Sequence, residues 1–235
     1  NEPIPVSQWY PALGAYTFPT LFVSVDDDAA TALVDGLAAG PAIDGVTRAI
    51  DRAIDSLPGS CFVHADVCAP SDAATFEKTS GSVRSGIDAW QLLCESDKVR
   101  SAFRDGHTRR LGIHSYRRMD RVREFRMFFK DGTLRAVSQL NLTRHFGRLA
   151  KKQELVWNLS KGLAAEISGF LPRPDITVDV YLTSRSDLMI IDMNPWGPPT
   201  APLLMREWDR DWDCEIGLKL IPKPTRLGGD VEVSV

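Results

Sequence analysis

Asp131 and Gly132 stand between two runs of alternating apolar and polar residues, Val122 to Lys130 and Thr133 to Gln139. An Asp-Gly pair in that setting predicts a two-residue type I′ turn, whose central positions need positive φ and whose twist matches that of paired strands. This part of the chain is thereby read as an antiparallel hairpin. Successive strand residues point to opposite faces, so Phe125, Met127 and Phe129 share one side. Glu124, Arg126 and Phe128 share the other, which brings an acid and a guanidinium together on one sheet face.

A second hairpin is expected where Val178-Asp179-Val180-Tyr181-Leu182 precedes a turn through Ser184 to Asp187 and then Leu188 to Pro195. If its loop is even, two residues at Arg185-Ser186 or four at Ser184 to Asp187, Asp179 lies directly across from Asp192. Facing carboxylates about 5 Å apart repel unless a proton or cation lies between them. Asn194 projects from the same face and adds a neutral oxygen. Such an oxygen set suits a hard cation, Mg²⁺ better than zinc, and Mg²⁺ usually takes further ligands from substrate phosphates. The alternatives are that both acids are solvated, or that an odd loop shifts the register by one residue and separates them. The neighbouring Met189-Ile190-Ile191 and Met193 are buried-strand material, where an unpartnered carboxylate is costly.

Elsewhere the pattern alternates strand and helix. Leu21 to Val25 has strand character, and Asp26 to Asp28 sit where a helix begins. Residues 43–57 carry an amphipathic stripe through Ile43, Val46, Ile50, Ile54 and Leu57, ended by Pro58-Gly59. Cys61 to Val63 is read as a strand. The segment Lys78 to Gly86 is a polar Gly/Ser loop with two cations, able to close over an anion or to serve as a solvated linker. Ser85 or Gly86 opens a helix, and Ser96 caps another. A long helix is predicted over 148–170, with Leu149, Val156, Leu159, Leu163, Ile167 and Phe170 buried. The mixture predicts an α+β fold with largely antiparallel sheets.

Composition narrows the function. The chain has 235 residues, 28 Lys+Arg against 31 Asp+Glu and a net charge of −3, so no global positive field recruits nucleic acid or an anionic bilayer. No apolar run approaches the roughly 18 residues of a membrane span. Arg117, Arg118, Arg121 and Arg123 form a local basic run, read as a solvated edge rather than a nucleic-acid contact. The four cysteines show no CxxC pairing and read as reduced, mostly buried thiols, which with the absence of an apolar leader points to a cytoplasmic setting. Asn1-Glu2-Pro3 reads as a trimmed start. No P-loop, GxGxxG, GxSxG or Cys/His zinc pattern occurs. His107, His114 and His145 are isolated and receive no assignment.

Four stretches carry a resemblance: WYPALGAYTF at 9–18, FVHADVCAPSDA at 62–73, EFRMFFKDGTLRAVSQ at 124–139 and VDVYLTSRSDLMIIDMNPWGPPTAPLL at 178–204. In this order they resemble the cell division cycle protein 123 family, which implies a two-lobed ATP-grasp fold with antiparallel sheets around a nucleotide cleft. The expected division is an N-terminal lobe at 1–110 with a phosphate-covering loop, and a C-terminal lobe at 111–235 with the metal site. The resemblance implies ATP and Mg²⁺ as cofactors. Asp179, Asp192 and Asn194 take the places of magnesium ligands, and Arg126 that of a catalytic group reaching the phosphates. Leu111 to Tyr116, with Ile113 and Tyr116, takes the place of the hinge that receives adenine. Lys78, Ser82 and Arg84 fall in the phosphate-covering loop, and the tail from Leu203, with Trp208 and Trp212, closes the cleft.

Four positions depart from the family pattern that the resemblance implies. His64 replaces the family's phosphate-binding lysine, although Pro70 and Asp72-Ala73 are kept. Leu140-Asn141 replaces Arg-Asp, and Ala201 replaces an acid. The resemblance implies two functions: ATP-dependent ligation or phosphoryl transfer to an unidentified small-molecule or protein acceptor, or an ATP-dependent chaperone that assembles eukaryotic translation initiation factor 2 around a protein client. A nucleotide-binding pseudoenzyme is a third reading, suggested by His64.

Overall fold

A computed structural model describes residues 2–224. In chain order the elements are α1 (Val6–Leu13), β1 (Thr20–Ser24), α2 (Asp27–Val34), α3 (Pro41–Asp55), β2 (Cys61–Ala65), α4 (Ala74–Thr79), β3 (Ser82–Val83), α5 (Gly86–Glu95) and α6 (Asp97–Arg104). Then follow β4 (Arg110–Ser115), β5 (Glu124–Lys130), β6 (Thr133–Gln139), α7 (Gly147–Ala150), α8 (Gln153–Ile167), β7 (Ile176–Leu182), β8 (Leu188–Pro195) and β9 (Gly217–Lys219). They build two sheets, ordered β1-β4-β2-β3 and β8-β7-β5-β6-β9, antiparallel except where β9 runs parallel to β6. The α+β, two-lobed antiparallel expectation describes this architecture.

Local chemistry explains most of the boundaries. Asp26 caps α2 by accepting the Ala29 N–H at 2.8 Å, Ser85 caps α5 through the Asp88 N–H, and Ser96 caps α6 through the Val99 N–H. In each lobe one sheet face is buried under helices. Val23, Val63, Leu111 and Ile113 pack with α2, α3, α5 and α6 in the first core. Phe125, Met127, Phe129, Val178 and Val180 pack with α8 in the second. The opposite sheet faces carry the polar and aromatic residues of the site.

Lobe membership differs from the division at residue 110. Strand β4 lies centrally in the first sheet, between β1 and β2, so the first lobe continues to Ser115. Helix α1 belongs to the second core through Trp9 and Leu13. Buried Asp66, at the end of β2, nevertheless accepts the Ser7 N–H at 2.7 Å in the first turn of α1, which joins the lobes. Residues 225–235, assigned by sequence to the second lobe, lie outside the described residues.

The helix expected over 148–170 is broken. Lys152 sits outside helical geometry between α7 and α8, and a 3-10 turn at Ser168–Phe170 follows Ile167. Three residues per turn rotate Phe170 off the 3.6-residue stripe. It is 59% exposed rather than buried.

Helices α3 and α5 approach closely at Gly86, where a β-carbon would lie 2.2 Å from the Thr47 carbonyl oxygen. Backbone cannot yield as a side-chain tip does. Gly86→Ala is therefore expected to cost about 1–3 kcal/mol or more by overpacking, read as a lower urea midpoint.

Candidate functional site

Arg126, Asp179 and Asp192 form one row across three strands, since Arg126 pairs with Asp179 between β5 and β7, and Asp179 with Asp192 between β7 and β8. The route to that register is not the even loop. Five residues, Thr183 to Asp187, separate Leu182 from its partner Leu188, and the odd spacing would have slipped the acids apart. A bulge at Ile191 inserts one residue into β8 and restores the pairing of Asp179 with Asp192.

The first hairpin places Arg126 as its alternation requires. Asp131 and Gly132 have φ of 51° and 68°, as a type I′ turn needs. The Arg126 guanidinium grips Asp179 as a fork, Nε to Oδ1 and the second terminal nitrogen to Oδ2, both at 2.7 Å. The remaining terminal nitrogen donates to the Ala201 carbonyl at 2.9 Å. All three guanidinium nitrogens are thus engaged, and Arg126 ties β5, β7 and the segment after β8 together instead of standing free for a phosphate.

Asn194 Nδ2 donates to Asp179 Oδ2 at 3.2 Å, which leaves its amide oxygen as an acceptor. Asp192 accepts the Met193 N–H at 2.9 Å and forms no ion pair among the described residues. Burial first, and the neighbouring Asp179 charge second, push its carboxyl up from 3.8 to about 7. Glu124, on the same face, is also raised by burial, against which Arg121 acts.

The donor set fits a divalent cation. Asp192 needs a positive neighbour, Asn194 offers an oxygen, and Asp179 spends three of about four lone-pair sites on Arg126 and Asn194, keeping one. No cluster of three His, Cys, Asp or Glu suited to a metal occurs among the described residues, so Asn194 is essential to the set.

Asp192 and Ile191 line a cleft of about 980 Å³ between the sheets. Its other wall is the face of β2 and β4 that turns away from the first core. There His114 stacks on Phe18 with centroids 4.4 Å apart and on Phe62 at 5.2 Å, with His64 5.9 Å away. Carbonyls only accept, so each imidazole donates from Nδ1, His64 to Ala65 at 2.7 Å and His114 to Ser115 at 3.0 Å. Burial lowers the His64 pKa, and burial with the neighbouring His64 pushes His114 down to about 4. Both are neutral at pH 7. The imidazole at 64 therefore supplies no positive charge to the cleft.

The β2–β4 wall also needs Gly112, where a β-carbon would lie 2.4 Å from His64 Nε2. Gly112→Ala is expected to force that ring off the wall and to break its hydrogen bond to Ala65. Loss of the protected Nδ1 proton signal in ¹H–¹⁵N spectra of the histidines would report it.

The other sequence-derived positions are dispersed. Ile113 points into the first core, and its strand is hydrogen-bonded on both edges, so residues 111–115 present a central strand rather than an open hinge. Tyr116 lines the cleft, with its N–H donated to Ser60 at 2.8 Å. The polar segment at 78–86 is ordered secondary structure: Lys78 is exposed in the last turn of α4, Ser82 lies on edge strand β3, and Arg84 is exposed before α5. Its turn runs through Ser80 and Gly81, where a β-carbon on Gly81 would meet Phe62 and Phe76 within 2.7 Å. The tail packs Met205 and Trp212 against Phe128 and Ala136 on the cleft face of the second sheet. Cys61 and Cys94 are buried, Cys68 is half-buried in the cleft wall and Cys214 is exposed, all as free thiols. The sequence reading missed His114, whose in-step spacing from Gly112 along a strand was the available signal.

A family model described as D123 matches residues 24–210. A CDC123-like protein of Acanthamoeba polyphaga mimivirus is 24% identical over 208 residues, covering 83% of this chain and 64% of that protein. A translation initiation factor eIF2 assembly protein of Xenopus tropicalis is 28% identical over 181 residues, covering 70% and 54%. The chain therefore spans between half and two thirds of these relatives. Among solved structures, Cdc123 from Schizosaccharomyces pombe superposes with a TM-score of 0.79 at 21% identity, over 93% of this chain and 95% of that one. That likeness is one of fold, and it agrees with the ATP-grasp-like two-lobed arrangement implied by the motifs. No helix among the described residues is long and apolar enough to cross a membrane. With the match running through both lobes and the Asp192 row inside it, the chain belongs to the D123 family.

Proposed function

We propose that this chain is an ATP-binding assembly factor that works on a protein client, of the kind named for its Xenopus relative, the translation initiation factor eIF2. The observation that carries the nucleotide part is the row Arg126–Asp179–Asp192 with Asn194 beside it, in which Asp192 lies against Asp179 without an ion-pair partner of its own among the described residues and lines the cleft. Asp192, Asn194 and the remaining lone pair of Asp179 would hold Mg²⁺. When bound, that ion would neutralise phosphate charge in the cleft. Arg126 positions Asp179 and, through Ala201, the segment following β8.

Calorimetric titration with a non-hydrolysable ATP analogue, with and without Mg²⁺, tests the nucleotide part, and co-purification with recombinant eIF2 subunits tests the client. Mg²⁺-dependent binding that Asp192→Ala abolishes supports the reading; binding indifferent to both sinks it.

A second reading, ligation or phosphoryl transfer to an acceptor, draws support from the cleft's size. About 980 Å³ lies at the upper end of the 300–1,000 Å³ typical of small-molecule sites, which leaves room for a second ligand. ATP consumption only when an acceptor is added would favour it over the chaperone.

A further inference from the structure

The cations that sequence and resemblance assigned to the phosphates do not supply free charge to the cleft. His64 is neutral, Lys78 and Arg84 do not line it, and Arg126 is spent on Asp179 and Ala201. Two other arginines do line it, Arg118 and Arg121, both solvent-exposed. Both lie on the connector at 116–123 that carries the chain from β4 in the first lobe to β5 in the second. We infer that Arg118 and Arg121 are the residues that meet the phosphate chain of a nucleotide in this cleft. This assignment rests on the nucleotide reading above.

The connector is built to hold them there. Its backbone is tied down at both ends: the Tyr116 N–H donates to Ser60 at 2.8 Å, and the Asp120 N–H to the Tyr181 hydroxyl at 3.4 Å. Asp120 caps the turn by accepting the Val122 N–H at 3.1 Å. Arg123 is an anchor, donating to the Thr183 carbonyl and lying 5.6 Å over the Tyr181 ring. Arg118 and Arg121 form no ion pair or hydrogen bond among the described residues, although the Arg121 charge acts on Glu124. An anchored backbone carrying two uncommitted forks beside an acidic metal row matches a ligand bearing several phosphate oxygens, since the fork accepts them bidentately. The four-arginine run read from sequence as a solvated edge is exposed at Arg117, Arg118 and Arg121; Arg123 is the anchor, and of the three exposed residues Arg118 and Arg121 also line the cleft.

The test is titration calorimetry at saturating Mg²⁺ with the non-hydrolysable ATP analogue and with adenosine, on the wild-type chain, Arg118→Ala/Arg121→Ala and Lys78→Ala/Arg84→Ala. The connector variant is expected to lose about tenfold in analogue affinity per arginine while adenosine affinity stays unchanged, since each removes a charge-assisted contact to phosphate only. The Lys78/Arg84 variant should match the wild type, and wild-type analogue binding should weaken with added salt while adenosine binding does not. Equal losses for the analogue and adenosine, or a larger loss in the Lys78/Arg84 variant, would overturn the assignment. So would a connector variant that keeps analogue affinity but no longer captures eIF2 subunits, which would make the arginines a protein contact. Wild-type chain that binds neither probe overturns the nucleotide reading itself, and this inference with it.

Discussion

Asp179→Leu is expected to lower the free energy of unfolding by about 3–5 kcal/mol, because it strands the Arg126 guanidinium without its counter-charge. Both side chains are only 10% exposed, and two 2.7 Å hydrogen bonds join them. Most of the loss is the cost of an unpaired buried charge rather than the net worth of the pair, so the double variant Arg126→Leu/Asp179→Leu should recover much of it. Arg126→Lys should fall between, since an ammonium reaches one carboxylate oxygen but cannot serve Asp179 and Ala201 together. Equilibrium urea unfolding of the wild type, Arg126→Leu, Asp179→Leu and the double variant closes the cycle. If the double variant is as unstable as the sum of the singles, the two side chains do not depend on each other and the row is not a unit.

Asp192→Asn is expected to stabilise the protein in a pH-dependent way. The folded carboxyl titrates at about 7, above its value of 3.8 in the open chain. Well below pH 3.8 both states are protonated and the substitution should change little. As pH rises from 4 to 7 the unfolded chain ionises while the folded one holds its proton, so the wild type progressively loses stability through this group. The full penalty applies above pH 7, with an upper bound of about 4 kcal/mol. Melting curves for wild type and variant should therefore coincide well below pH 3.8 and diverge to a plateau by about pH 8. Added Mg²⁺ should close that gap from the wild-type side and leave Asp192→Asn unaffected, because a cation removes the repulsion that the amide never had. A stability difference independent of both pH and Mg²⁺ would mean that Asp192 is strained by packing, with no charge to be met.

These two experiments probe opposite ends of one row, and its parts were unequally legible. Arg126 could be placed from the Asp131-Gly132 turn and strand alternation, because both are local rules of backbone geometry. The pairing of Asp179 with Asp192 was reached by assuming an even loop. The structure attains the same pairing with a five-residue loop and a bulge at Ile191, two errors of register that cancel. A bulge carries little sequence signature when, as here, apolar Met189-Ile190-Ile191 would fit either phase.

The polar segment at 78–86 shows a different limit. Gly81 and the serines resemble a flexible anion loop, yet Gly81 combines a φ of 80° with a position where Phe62 and Phe76 leave no space for a side chain. Only its neighbours, distant in sequence, decide whether a glycine serves freedom or closeness. His114 shows the converse: isolated in the sequence, it becomes half of a stacked wall once β4 lies beside β2 and Phe18 folds across it.

Capping residues, the type I′ turn, the amphipathic stripes and the acid-bearing strands were all written in the order of residues, since each depends on neighbours within a few positions. Which cation reaches the cleft was not. Arg126 is consumed by Asp179, His64 is discharged by burial, and Arg118 and Arg121 line the cleft because the connector crosses between lobes at that point. Charge and access at a site depend on what packs around a side chain, and that is settled when the two sheets come together.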